Sequence, residues 1–317
     1  VTHAAPAARG QPEISPRAGL IGAPGRATSA SRARPRGPFL RPVACRPPGA
    51  VSLPAPIPQE RRIVDTPTPG IAGSRLNRVA PDPDVVFDRS VGETYIRYAQ
   101  MLNQRGYVQS SLGNMVIRVP HPKYPEGLCY VKPQGLSLEE ACVDDLVITD
   151  VPHGELLHGD RATTVGHQMN REILRLRPDV GCVIHLHHDE TIAFLAAGFE
   201  EIRSTSLTFS YLMQKPAHYL PAHLNVEEDV DPIKTFIQDT NCVIMRRHGF
   251  TVLGRTVSEA YHRTNVLVSE VKRNIIVETL SAVRGTRAEY LSRADMQWMF
   301  ERGDAVVYPE AKRGDAQ

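Results

Sequence analysis

The order of apolar and polar positions divides the chain into a patternless front and a patterned body. Residues 1–60 are dominated by Ala, Pro, Gly, Arg and Ser without periodicity. Such a segment buries too little apolar surface to offset its ordering entropy, and it is expected to be a disordered extension. Order is expected from near residue 65 and is firm by Asp88. From Asp88 to Arg105, the residues Tyr95, Ala99 and Leu102 recur at helical spacing, and Gly106 supplies a stop. Short strands follow at Met115–Val119, Leu128–Lys132 and Asp145–Asp150, separated by Pro and Gly. A helix from about Thr164 places Val165, Met169, Ile173 and Leu176 on one face, and Pro178 ends it.

A strand is expected at Gly181–His187 and a helix from Asp189 to Ala197, closed by Gly198. Residues 203–225 read as irregular. A short helix near Asp231–Gln238 leads into a strand at Cys242–Arg247, and after the break at Gly249 the chain continues extended through Phe250–Leu253. Thr256 and Glu259 form a T-x-x-E start for a long helix whose buried stripe is Ala260, Thr264, Leu267, Val268, Val271 and Ile275. Strands outnumber the crossovers that a parallel sheet would need, so an α/β fold with a mixed, mainly antiparallel sheet flanked by helices is expected. The working boundaries are an extension at 1–60, a domain at 61–285 and a C-terminal extension at 286–317.

Composition removes several function classes. A net charge of +2 gives no reason to seek nucleic acid or an anionic membrane as partner. No run of about 18 apolar residues suggests a membrane span, and the Arg-rich front has no apolar core of the kind a secretory signal needs. Cys45, Cys129, Cys142, Cys182 and Cys242 are scattered, odd in number and without a CxxC pair. They read as reduced thiols in a cytoplasmic protein rather than a disulfide framework.

The chemistry gathers at Val183-Ile184-His185-Leu186-His187-His188. Residues two apart in a strand point to the same side, so His185 and His187 can converge where the strand gives way to a helix. Alone, such a pair is weak evidence for a metal and reads more simply as two satisfied histidines. A further histidine stands at a strand end in Arg247-His248-Gly249, where glycine allows close backbone approach.

In order along the chain come Gly113-Asn114, then Asp145-Leu146-Val147-Ile148-Thr149-Asp150, then Arg177-Pro178-Asp179-Val180 leading to His185-Leu186-His187, then His248-Gly249 and the long capped helix. This series resembles the class II aldolase/adducin family from about Val86 to Leu280. The resemblance implies a three-layer fold, a divalent metal on His185, His187 and His248, a small-molecule substrate, and a homotetramer with sites near subunit interfaces. The adducin branch lacks these histidines and is structural, so their retention favours an enzyme over a non-catalytic binding protein.

Against that family, this sequence departs at the acid/base and phosphate positions. The glutamate that serves the aldolases as acid/base falls on Gly166, which cannot carry a proton; His167 is one residue on, about 100° around the helix, and is a candidate for that role without being fixed to it. The serine pair that holds substrate phosphate falls on Thr164 and Val165, and the preceding asparagine on Val108. Asn114 remains, with Ser111 as a polar neighbour, so a phosphorylated sugar is disfavoured. In the family the stretch 215–224 borders the site and can supply a tyrosine, here Tyr219. Arg247 has the shape to meet a substrate carboxylate, though it reads a little more simply as an exposed strand-end arginine.

Three neutral imidazoles with open positions suit iron(II) and oxygen as well as zinc. The chain is similar in length, lost glutamate and composition to the iron oxygenases of aminocoumarin antibiotic biosynthesis. Those enzymes cleave a prenylated 4-hydroxyphenylpyruvate, through a mandelate, to a 4-hydroxybenzoate. The alternative is a zinc-dependent aldolase, epimerase or decarboxylase acting on a non-phosphorylated sugar or hydroxy acid.

Overall fold

The computed structural model describes residues 78–303. The expectations for residues 1–60 and for the onset of order near residue 65 lie outside these, as does the end of the C-terminal extension. Eight strands form one sheet: β1 (Asn114–His121), β2 (Tyr124–Val131), β3 (Val147–Asp150), β4 (Leu156–His158), β5 (Cys182–Leu186), β6 (His218–Leu220), β7 (Cys242–Met245) and β8 (Gly249–Gly254), in the spatial order β4-β3-β2-β1-β5-β8-β7-β6. Every neighbouring pair is antiparallel except β6 with β7. The mixed, mainly antiparallel sheet read from the sequence is the sheet observed.

Six α-helices cover it: α1 (Arg89–Gln104), α2 (His167–Leu176), α3 (Asp189–Ala196), α4 (Leu207–Met213), α5 (Val257–Arg284) and α6 (Arg293–Phe300). Strand alternation sorts the core onto two faces. Tyr95, Leu102, Ile184, Phe250, Leu267 and Val271 belong to the face covered by α1, α3, α4 and α5. Val116, Val183, Met169, Ile173, Ile233 and Ile237 belong to the face covered by α2 and two 3-10 turns at Asp231–Thr235 and Ile237–Asp239. The short helix expected near Asp231–Gln238 is thus a pair of 3-10 turns, with Pro232 near the start of the first.

Local chemistry explains the helix ends. Asp88 caps α1 by accepting from the Ser90 N–H, and Thr256 caps α5 by accepting from the Glu259 N–H. The Glu259 carboxylate accepts from the Arg255 N–H at 2.6 Å and pairs with buried Arg263. Helix α2 begins at His167, three residues later than its apolar spacing suggested, and Val165 is exposed.

The stretch 203–225, expected to be irregular, holds α4 and β6. Ser206 caps α4 through the Phe209 N–H, and Gln214 closes it in the left-handed conformation. Both elements are too short to show a period. Part of the C-terminal extension also packs against the domain: the Leu291 N–H donates to the Ser204 carbonyl at 2.8 Å, and Met299 of α6 is buried.

Candidate metal centre

His185 and His187 lie at the end of β5 on the α2 face. In the β1–β5 ladder His185 sits opposite Asn114, which explains how a motif 71 positions earlier comes to border the same site. His248 lies in the turn between β7 and β8. That turn holds Arg247 at φ +64° and closes with the His248 N–H donating to the Met245 carbonyl at 3.1 Å. Gly249 begins β8 at φ +151°, and a Cβ there would stand 2.1 Å from the Leu186 carbonyl oxygen and 3.0 Å from the His187 Cα. Only glycine lets the two strand ends pass this closely, and the passage brings His248 onto His187.

The three Nε2 atoms converge, with His187 at 3.1 Å from His185 and 3.2 Å from His248. The His185 Nδ1 faces the Phe250 carbonyl oxygen at 3.1 Å. A carbonyl only accepts, so Nδ1 carries the proton and the Nε2 lone pair points into the cluster. Burial, more than its histidine neighbours, pushes His185 down to about 4, and burial together with His248 lowers His187. Both are therefore neutral near pH 7.

A fourth donor arrives from elsewhere. Glu227 Oε2 lies 3.1 Å from His248 Nε2, and its Oε1 lies 3.6 Å from His185 Nε2. Buried Val226 seats this loop on the α2 face, and Asn225 Oδ1 accepts from the Glu227 N–H. Burial opposes ionisation of Glu227, but the hydrogen bond with His248 and the three imidazoles outweigh it and hold the carboxyl at about 2. One ligand atom from each of His185, His187, Glu227 and His248 falls within 4.8 Å of the others.

This donor set fits a divalent metal. A single proton on His187 could serve only one of its two imidazole neighbours, whereas a cation would satisfy all three nitrogens and the carboxylate together. The expectation that the site has lost its carboxylate is corrected: the one absent at Gly166 is present at Glu227. Sequence reading missed it because Glu227 stands in an acidic loop with no motif around it.

The other residues singled out from the sequence are dispersed. His167 is fully buried with its Nε2 2.8 Å from the Thr149 hydroxyl. That nitrogen is turned to Thr149 on β3, and His167 is not among the residues whose ligand atoms converge. Tyr219 packs on the opposite face of the sheet, where its hydroxyl accepts from the Ile202 N–H at 2.8 Å. Arg247 is exposed in its turn.

Asn114 is buried beside the cluster, and its Oδ1 accepts from the Asn170 amide. The Thr164 hydroxyl is buried in the approach to α2 without a hydrogen-bond partner. Ser111 is exposed, and its carbonyl accepts from the Lys132 ammonium at 3.3 Å.

A family model described as class II aldolase and adducin N-terminal domain matches residues 93–273. L-fuculose phosphate aldolase of Methanococcus maripaludis is 28% identical over 189 residues, covering 59% of this chain and 97% of that protein. Gamma-adducin of Homo sapiens is 29% identical over 160 residues, 48% of this chain but 22% of its own length. Among solved structures, YgbL from Klebsiella pneumoniae aligns with a TM-score of 0.56 at 19% identity, over 68% of this chain and all of that one. An L-fuculose 1-phosphate aldolase from Glaciozyma antarctica aligns with a TM-score of 0.56 at 17% identity, over 70% and 86%. At such identities these two structures establish a shared fold. With the family match spanning more than half of its length, the chain belongs to the class II aldolase and adducin N-terminal domain family.

Proposed function

We propose that this protein is a metal-dependent carbon–carbon lyase or epimerase acting on a small, non-phosphorylated hydroxycarbonyl compound. The observation that carries this reading is the convergence of three imidazole nitrogens with the Glu227 carboxylate. A divalent metal bound there supplies Lewis-acid polarisation of a substrate carbonyl. His185, His187 and His248 would hold it, with His185 oriented by the Phe250 carbonyl.

Glu227 is the group placed to move a proton. As the bond between the hydroxyl-bearing carbon and its neighbour breaks, the hydroxyl proton passes to Glu227 and the hydroxyl carbon becomes a carbonyl. The neighbouring carbon keeps the electron pair and takes the proton back, so the reaction is redox-neutral. His187 and His248 are only partly buried, which leaves substrate a way in. With a dication, three neutral imidazoles and one carboxylate, the site carries one net positive charge, which favours a substrate that develops an anion. Non-phosphorylated substrate follows from Thr164 and Val165 standing where a serine pair would hold phosphate. Some of the relatives are named for fuculose phosphate, whereas this chain carries Thr164 and Val165 where the family resemblance would put the phosphate-holding serines.

The iron(II) oxygenase reading is retained as the second, because a face of three neutral imidazoles also suits ferrous iron with an α-keto acid substrate. Its other support, the missing carboxylate, is offset by Glu227. The two separate in one experiment. Protein loaded with zinc or cobalt under nitrogen should cleave or epimerise a member of a panel of hydroxy-sugars and hydroxy acids. Oxygen uptake by iron-loaded protein with 4-hydroxyphenylpyruvate-type acids, and no anaerobic turnover of the panel, would replace the lyase with the oxygenase.

A further inference from the structure

Gly166 stands at the amino end of α2 with φ −61° and ψ −10°. Any L-residue adopts that conformation, so the backbone does not require glycine. The space does. A Cβ built on residue 166 would lie 1.9 Å from Glu227 Oε1, 3.0 Å from Glu227 Cδ and 2.9 Å from Asn114 Nδ2. On its other side the same carboxylate lies against His248 at 3.1 Å and His185 at 3.6 Å. It is therefore held between the histidine cluster and the bare Cα of residue 166, at the amino end of α2.

We propose that Gly166 is the socket for Glu227. The loop around residue 227 delivers a fourth metal-ligating carboxylate into space that a side chain on α2 would otherwise fill, so positions 166 and 227 are mutually exclusive sources of one carboxylate. Gly166 is then a positioning residue that acts by volume alone. This inference rests on the metal-centre reading and adds to it which residues complete the donor set and how they are coupled.

The test is a cobalt(II) titration of the full chain, read by the visible absorption of the bound ion and by the dissociation constant, with a thermal melt to report folding. Wild-type protein should bind one equivalent. Glu227→Gln should weaken binding on the order of tenfold or more and change the visible band. Gly166→Ala, which keeps all four donor side chains, should produce a loss of similar size with an unchanged melt. The double variant Gly166→Glu with Glu227→Ala should recover most of the lost affinity, because it returns a carboxylate to the same space from the helix side.

Wild-type affinity and spectrum in Gly166→Ala would overturn the socket. Wild-type binding by Glu227→Gln would overturn the ligation, and a double variant no better than Glu227→Gln would overturn the interchange. Wild-type protein that binds no cobalt would instead bring down the metal-centre reading, and this inference with it.

Discussion

At the scale of single residues, four histidines next to one another in space or sequence do different work. His185 and His187 point into the cluster. His188 turns its ring the other way, caps α3 through the Thr191 N–H and stacks edge-on against Tyr107. His185→Ala is expected to leave less than about a tenth of the wild-type metal, since it removes a buried ligand that the Phe250 carbonyl orients. His188→Ala should keep its metal and lose about 1 kcal/mol of stability, the usual worth of a cap. Elemental analysis and urea unfolding of both variants check this, and equal metal loss would show that the assignment within the pair is wrong.

His167 gives a prediction about pH. Burial, with Arg171 nearby, lowers it from 6.5 to about 3. Between those values the unfolded chain binds a proton that the folded one refuses, so stability is full above about 6.5 and falls as pH drops toward 3. Each unit is worth about 1.4 kcal/mol. Between pH 7.5 and pH 5 the wild type should therefore lose about 2 kcal/mol more than His167→Gln, which can still bond Thr149. Identical losses in urea titrations at the two pH values would remove His167 as a source of acid sensitivity.

At the scale of elements, the site depends on how β5 and β8 end. The strands pair from Cys182 with Gly254 to Leu186 with Phe250, and Gly249 is the next position. Its conformation and its contact with the Leu186 carbonyl leave no room for a methyl group. Gly249→Ala is expected to destabilise the protein by about 2 kcal/mol or more. It should also lower metal content, because the β7–β8 turn that carries His248 must back away from His187. A variant that melts lower yet binds metal normally would separate the two effects and count against this role for Gly249.

For the molecule as a whole, the sheet is a partition. One face packs the long helix α5 with α1, α3 and α4, and the other packs α2 and the 3-10 turns and carries the donors. Among the described residues no helix is long and apolar enough to cross a membrane. The four donor residues lie between positions 185 and 248, and the family match begins at residue 93. Removal of residues 1–60 is accordingly expected to leave metal stoichiometry, assembly and turnover unchanged, with the melting temperature within experimental scatter. Gel filtration and metal analysis of the truncated chain test this, and loss of either assembly or metal would assign the front segment a part in the site.

Much of this arrangement was written locally. The period-two spacing of His185 and His187, the glycine after His248, the Thr256 cap and the apolar stripe from Ala260 to Val271 each depend on neighbours in sequence, and each could be read there. Short elements such as α4 and β6 could not, because seven or three residues show no period and tertiary contacts stabilise them. Glu227 was hidden for a related reason. Its sequence surroundings are those of a solvated acidic loop, and its role comes from lying against His248, His185 and the bare Cα of Gly166. In the sequence Gly166 reads as the loss of a carboxylate. In the folded chain it is the space that another carboxylate occupies, and no local pattern records a volume shared by residues 61 positions apart.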